Sequence, residues 1–108
     1  MYAVQDPYIL DFSKADSILK VHQVIKAGLD FPNFYGCNLD ALWDCLTEMV
    51  GGNVYIALEN FDAVEQKFGE YAENLLETFR DFKHVSGDKY CGQITIEVVN
   101  KKARYKIK

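Results

Sequence analysis

Asp40, Asp44 and Glu48 recur every four residues within the stretch 31–50, FPNFYGCNLDALWDCLTEMV, and no lysine or arginine occurs anywhere in residues 27–66. Side chains four residues apart stack on one face of a helix, so these carboxylates form a single acidic ladder. Like charges at that spacing cost an isolated helix roughly 0.2–0.5 kcal/mol per pair. Asp40 recovers some of this from the helix N-terminus, whereas Asp44 and Glu48 lie too far along. Three chemistries use such a ladder. A cationic partner would neutralise it. Asp40 and Asp44 could work as an acid and a base, but no histidine, nucleophile or phosphate-binding glycine loop lies nearby in sequence. A metal ion is the weakest fit, because one helix face cannot close a coordination shell. The pattern favours the cationic partner, with no enzyme activity, catalytic residue, metal or cofactor expected.

The opposite side of the same helix is apolar. Leu39, Leu42, Trp43, Leu46, Met49 and Val50 follow the i, i+3, i+4, i+7 rule of a buried stripe. Trp43 is expected in the core with one edge exposed, Cys45 beside that core, and Glu48 at the rim. Phe31-Pro32 forces an extended entry before a turn at Tyr35-Gly36, and Asn38 is placed to cap the helix. Gly51-Gly52 stops it.

The remaining elements must hold that helix. Residues 8–12, YILDF, read as a first strand. Ser13 or Asp16 is expected to cap a helix ending at Gly28, with Ile18, Val21, His22 and Ile25 inward and His22 hydrogen-bonded in the core. Residues 54–58, VYIAL, read as a strand covered on both faces. Asn60 is expected to cap a short helix, with Gly69 separating it from a longer one. In that longer helix Tyr71, Leu75, Leu76, Phe79 and Phe82 point inward, while Glu73, Glu77, Arg80 and Asp81 meet water. Residues 93–99 form a third strand, and alternation in 103–107 suggests an additional antiparallel one. The order β-α-α-β-α-α-β leaves connections long enough for parallel pairing. The expected fold is α/β: a three-stranded parallel sheet packed by about four helices, with an extra C-terminal strand.

Composition bounds the function. The chain has 108 residues, 49% hydrophobic and 26% charged, the balance of one folded domain spanning 1–108. Seven Phe, seven Tyr and one Trp favour a well-filled core. The net charge of −4 conceals a polarised distribution, since residues 101–108 carry Lys101, Lys102, Arg104, Lys106 and Lys108 without an acid. An acidic face argues against nucleic acid and for a basic protein. The basic tail reads as a solubility feature. Cys37, Cys45 and Cys91 fit neither a disulfide framework nor a zinc site, Cys37 being the one expected at the surface. No secretory leader or membrane span is evident, so a reducing cytoplasm is the expected location.

The motif PNFYGCNLDALWDCLT resembles the signature of the barstar family, intracellular inhibitors of secreted ribonucleases of the barnase type. His22-Gln23 ahead of LDFP, the Phe79-Arg80-Asp81 triplet and the final ITI strand follow in the family's order. The resemblance covers about residues 8–99, leaving the basic tail 100–108 outside it. It implies the same three-stranded parallel fold and a tight, non-covalent inhibitor without catalysis, monomeric when free and bound one-to-one to a basic ribonuclease. Asp44 corresponds to the aspartate that replaces an RNA phosphate in the ribonuclease site. Asp40 matches a second acidic contact and Asp81 an outlying one. Phe34, Tyr35, Gly36, Asn38 and Leu39 match the contacting turn, with Trp43 and Thr47 at the rim. The chain departs from the family at five positions. Phe34 lacks a tyrosine hydroxyl, Cys37 stands where an acid is usual, Met49 replaces a tryptophan, Asp81 is shorter than glutamate, and Thr78 replaces an aliphatic residue. The resemblance therefore carries over a mode of action more firmly than a target. An acidic protein-binding adaptor, or an immunity protein against a different toxin nuclease, is the alternative.

Overall fold

The computed structural model describes residues 7–48, 54–87, 93–101 and 103–108. Met49, Val50, Gly51, Gly52 and Cys91, for which the sequence raised expectations, lie outside these. The described chain runs β1 (Tyr8–Asp11), α1 (Ile18–Leu29), α2 (Leu39–Glu48), β2 (Val54–Glu59), α3 (Asp62–Lys67), α4 (Gly69–Gly87), β3 (Ile94–Val99) and β4 (Arg104–Lys106). The strands lie side by side in sequence order. β1, β2 and β3 are parallel, with Leu10 opposite Leu58 and Ile56 opposite Ile96. β4 is antiparallel to β3, Tyr105 facing Val98. The mixed α/β fold and the additional strand are thus as the sequence reading expected.

One face of the sheet supplies the core. Leu10, Val54, Ile56, Leu58, Ile94, Ile96 and Val98 alternate inward and join Val21, Ile25, Leu42, Leu46, Leu75, Phe79 and Phe82 from the helices. α1 packs on β1 and α4 on β3, while α2 leans on α4. The other face is more polar. Ala57 is buried there, but Tyr55 and Glu59 are only partly covered, so the apolar run of β2 is not enclosed equally on both sides.

Four helix boundaries differ from expectation. Ser17, not Ser13 or Asp16, caps α1 by accepting the Lys20 amide at 3.1 Å. Gly28 does not end that helix, which closes one residue after Leu29 at Asp30 in the left-handed conformation. Gly28 instead permits close approach to the sheet: a Cβ there would stand 2.1 Å from Leu10 Cδ2 and 3.1 Å from the Ile9 carbonyl oxygen. Asn60 does not cap α3. Its own φ is 56°, and its side-chain amide donates to Asp11 Oδ1 at 2.8 Å, joining β2 to β1. Gly69 begins α4 rather than separating it from α3. Ile18, expected inward, is 39% exposed.

Candidate functional site

α2 presents its two faces as the spacing required. Leu42 and Leu46 are fully buried, Leu39 and Trp43 pack against the core from a half-buried position, and Asp40, Asp44 and Glu48 are exposed. Among the described residues none of the three acids has an ion-pair partner; the ion pair there joins Arg104 to Glu97 at 3.5 Å. Their field is felt on the helix itself. Burial pushes the Cys45 thiol up, and the charges of Glu48 and Asp44 push it further. Thr47, half-buried, turns its hydroxyl back to the Trp43 carbonyl at 2.9 Å and the Asp44 carbonyl at 3.1 Å.

The start of the ladder is held by Asn38. Its Oδ1 accepts the Ala41 amide at 2.8 Å and its carbonyl accepts the Leu42 amide at 2.9 Å, an N-cap as expected. Its side-chain amide reaches back to the Gly36 carbonyl at 3.3 Å. Cys37 takes a left-handed φ of 54°, which lets the chain reverse into the helix. The turn closes through the Tyr35 amide on the Pro32 carbonyl at 3.0 Å.

Neighbouring aromatics of the turn part company. Phe34 is 82% exposed, whereas Tyr35 is 6% exposed and packs on buried Phe31, ring centroids 5.2 Å apart. The sequence placed Phe34 and Tyr35 together as contacting residues, but the Tyr35 ring points into the core. Its hydroxyl meets His22 Nδ1 at 2.6 Å. His22 Nε2 meets the Tyr71 hydroxyl from α4. His22 is a hydrogen-bonded core residue, and burial holds its pKa below the ordinary imidazole value. The sequence singled out neither Tyr71 nor Phe31 for the site. A histidine on an apolar helix face signals that partners exist, without saying which.

Phe34, Gly36, Asn38, Asp40 and Asp44 therefore form one exposed surface along the turn and α2, with Leu39, Trp43 and Thr47 half-buried beside it. Asp81 is exposed on α4, the helix that α2 packs against. The surface is acidic, flanked by an exposed aromatic ring, and braced from behind. Such a surface can receive arginine or lysine side chains in charge-assisted hydrogen bonds with little loss of side-chain freedom. An open groove away from the acids is lined by Ile18, Phe68, Gly69, Glu70, Tyr71 and Asn74. Among the described residues no three His, Cys, Asp or Glu side chains are grouped to hold a metal, and no helix is long and apolar enough to cross a membrane.

Comparison with known proteins gives the following matches. The family model described as Barstar (barnase inhibitor) matches residues 6–97. A protein of Bacillus subtilis (strain 168), named "Putative ribonuclease inhibitor YrdF", is 38% identical over 82 residues, covering 76% of this chain and 90% of that protein. The matched region includes α1, the turn, α2 and α4, and stops short of β4.

Proposed function

The chain belongs to the barstar family, and we propose that it inhibits a basic ribonuclease of the barnase type by plugging the active site with α2 and the turn before it. The observation that carries this reading is an acidic ladder, without an ion-pair partner among the described residues, on a helix whose cap and rear face are already fixed. Asp44 takes the place of an RNA phosphate among the enzyme's cationic side chains, and Asp40 supports it one turn earlier. Phe34 contributes rigid apolar area beside the charges. Gly36, Asn38 and Leu39 meet the enzyme along the turn, Trp43 and Thr47 at the rim, and Asp81 from α4. Tyr35 contributes through its backbone and by holding the turn.

The inhibitor supplies no catalysis. It forms a one-to-one complex, is monomeric when free, and acts in the cytoplasm of the cell that makes the enzyme. Acids facing a basic cleft also steer the encounter, so association slows as salt rises. The test is stoichiometric titration of barnase activity with this protein. Loss of activity complete at one equivalent supports the reading. Full activity at a large excess removes barnase as the target.

Phe34 and Cys37 favour one variation. Phe34 offers no hydroxyl at an exposed position of the turn, and Cys37 places no charge in it. An immunity protein against a different toxin nuclease, or an acidic adaptor, would use the same ladder with a different turn. Capture with a panel of basic nucleases separates the two, because an adaptor binds its partner and leaves the active site working.

A further inference from the structure

His22 is fully buried in α1, yet both ring nitrogens have partners. Nδ1 meets the Tyr35 hydroxyl at 2.6 Å, and Nε2 meets the Tyr71 hydroxyl. These residues come from three separate places: α1, the turn before α2, and α4. The two ends differ in access to water. Tyr35 is 6% exposed, whereas Tyr71 is half-buried and lines the open groove beside Phe68 and Asn74.

That difference orders the hydrogens. A neutral imidazole has one donor and one acceptor nitrogen. With hydrogen on Nδ1, Tyr35 would have to accept it, leaving its own hydroxyl hydrogen buried without a partner. With hydrogen on Nε2, Tyr35 donates to Nδ1, Nε2 donates to Tyr71, and the Tyr71 hydroxyl hydrogen turns toward water. Every donor is then satisfied.

We propose that His22, held as its Nε2–H tautomer, and Tyr71 are positioning residues for the inhibitory turn, acting through Tyr35. The relay pins the Tyr35 ring, and with it the backbone that presents Phe34 on one side and Gly36 and Asn38 on the other. A turn fixed before binding loses less conformational entropy on association. The proposal rests on the inhibitory reading of that turn.

Three measurements on the full chain test it: histidine side-chain 15N shifts, amide hydrogen exchange of the wild type and Tyr71→Phe, and titration of both against barnase. The expected result is an acceptor-type shift at Nδ1. In Tyr71→Phe, exchange at residues 34–38 becomes about fivefold faster, the size of one net hydrogen bond, while amides of β2 and β3 are unchanged. Affinity for barnase falls by a similar factor. A hydrogen on Nδ1, exchange that rises uniformly or not at all, or a loosened turn with undiminished affinity would each overturn the proposal. If the local exchange pattern holds but the wild type does not bind barnase, the positioning of the turn stands and the reading of barnase as the inhibited enzyme fails.

Discussion

Asn38 Oδ1 accepts the Ala41 amide at 2.8 Å, and this bond sets where the acidic helix begins. Asp40 lies two residues past the cap and Asp44 one turn further on, so any slip of the start rotates both carboxylates off their face. Asn38→Ala is expected to cost about 1 kcal/mol of stability and to weaken ribonuclease binding. Asn38→Asp keeps the cap oxygen and should recover the stability. Urea unfolding of both variants gives the energies. Equal stability in wild type and Asn38→Ala would show that the cap does not hold α2.

Asp44 sets stability against binding. It stands between Asp40 and Glu48 without an ion-pair partner among the described residues. Removing it relieves two like-charge pairs, each worth roughly 0.2–0.5 kcal/mol. Asp44→Ala should therefore melt at or slightly above the wild-type temperature. It should also lose roughly 2–5 kcal/mol of affinity, a general magnitude for truncating one partner of a desolvated charge pair. Calorimetric melting and inhibition titration of one preparation check both. Wild-type affinity in this variant would place the site elsewhere.

Gly28→Ala tests the seat of α1 on the sheet. Alanine gains about 1 kcal/mol of helix propensity over glycine. Against that, the new methyl would stand 2.1 Å from the side chain of fully buried Leu10 and 3.1 Å from a backbone oxygen. Leu10 is fully buried, so its side chain yields only by pressing on packed neighbours, and overpacking of this kind costs about 1–3 kcal/mol. The clash outweighs the propensity, so a lowered denaturation midpoint is the expected outcome.

The tail beyond the family match is held more by one apolar side chain than by its charges. Ile107 is 4% exposed, and its amide bonds the Ile96 carbonyl at 2.8 Å. The ion pair of Arg104 with Glu97 involves an arginine side chain that is 67% exposed, which limits it to about 1 kcal/mol or less. Ile107→Ala should cost about 2 kcal/mol and Arg104→Ala clearly less. Glu97 keeps a second partner, the Tyr55 hydroxyl at 3.1 Å. Thermal melts of the two variants decide the order.

Local signals made α2 readable, because its stripe, its acids and its cap all lie within a dozen neighbouring residues. The same was true of the strands, whose apolar runs reflect burial on at least one face. Features decided by distant partners were not readable. Gly28 resembles a helix stop until Leu10 is placed behind it. Asn60 resembles a cap, but Asp11 takes its side chain from another strand. Phe34 and Tyr35 are adjacent aromatics in a turn, and nothing local says which turns inward. That choice belongs to His22, thirteen residues earlier, and to Phe31.

His22 also makes stability depend on pH, with a definite sign. Burial lowers its folded pKa below the ordinary 6.5, so between the two values the unfolded chain binds more protons than the folded one. Stability contributed by the neutral ring is fully present above pH 6.5 and is lost as pH falls through the folded pKa. The groups against the ring explain why a second proton is unwelcome. Tyr35 and Tyr71 face its two nitrogens as hydroxyls, and neither supplies a negative charge. A doubly protonated ring would also force the Tyr35 hydroxyl hydrogen off Nδ1 and into the core. Unfolding free energy is therefore expected to decline as pH falls below 6.5, and His22→Gln should flatten that part of the profile. A decline of equal size in His22→Gln would assign the pH dependence to other groups.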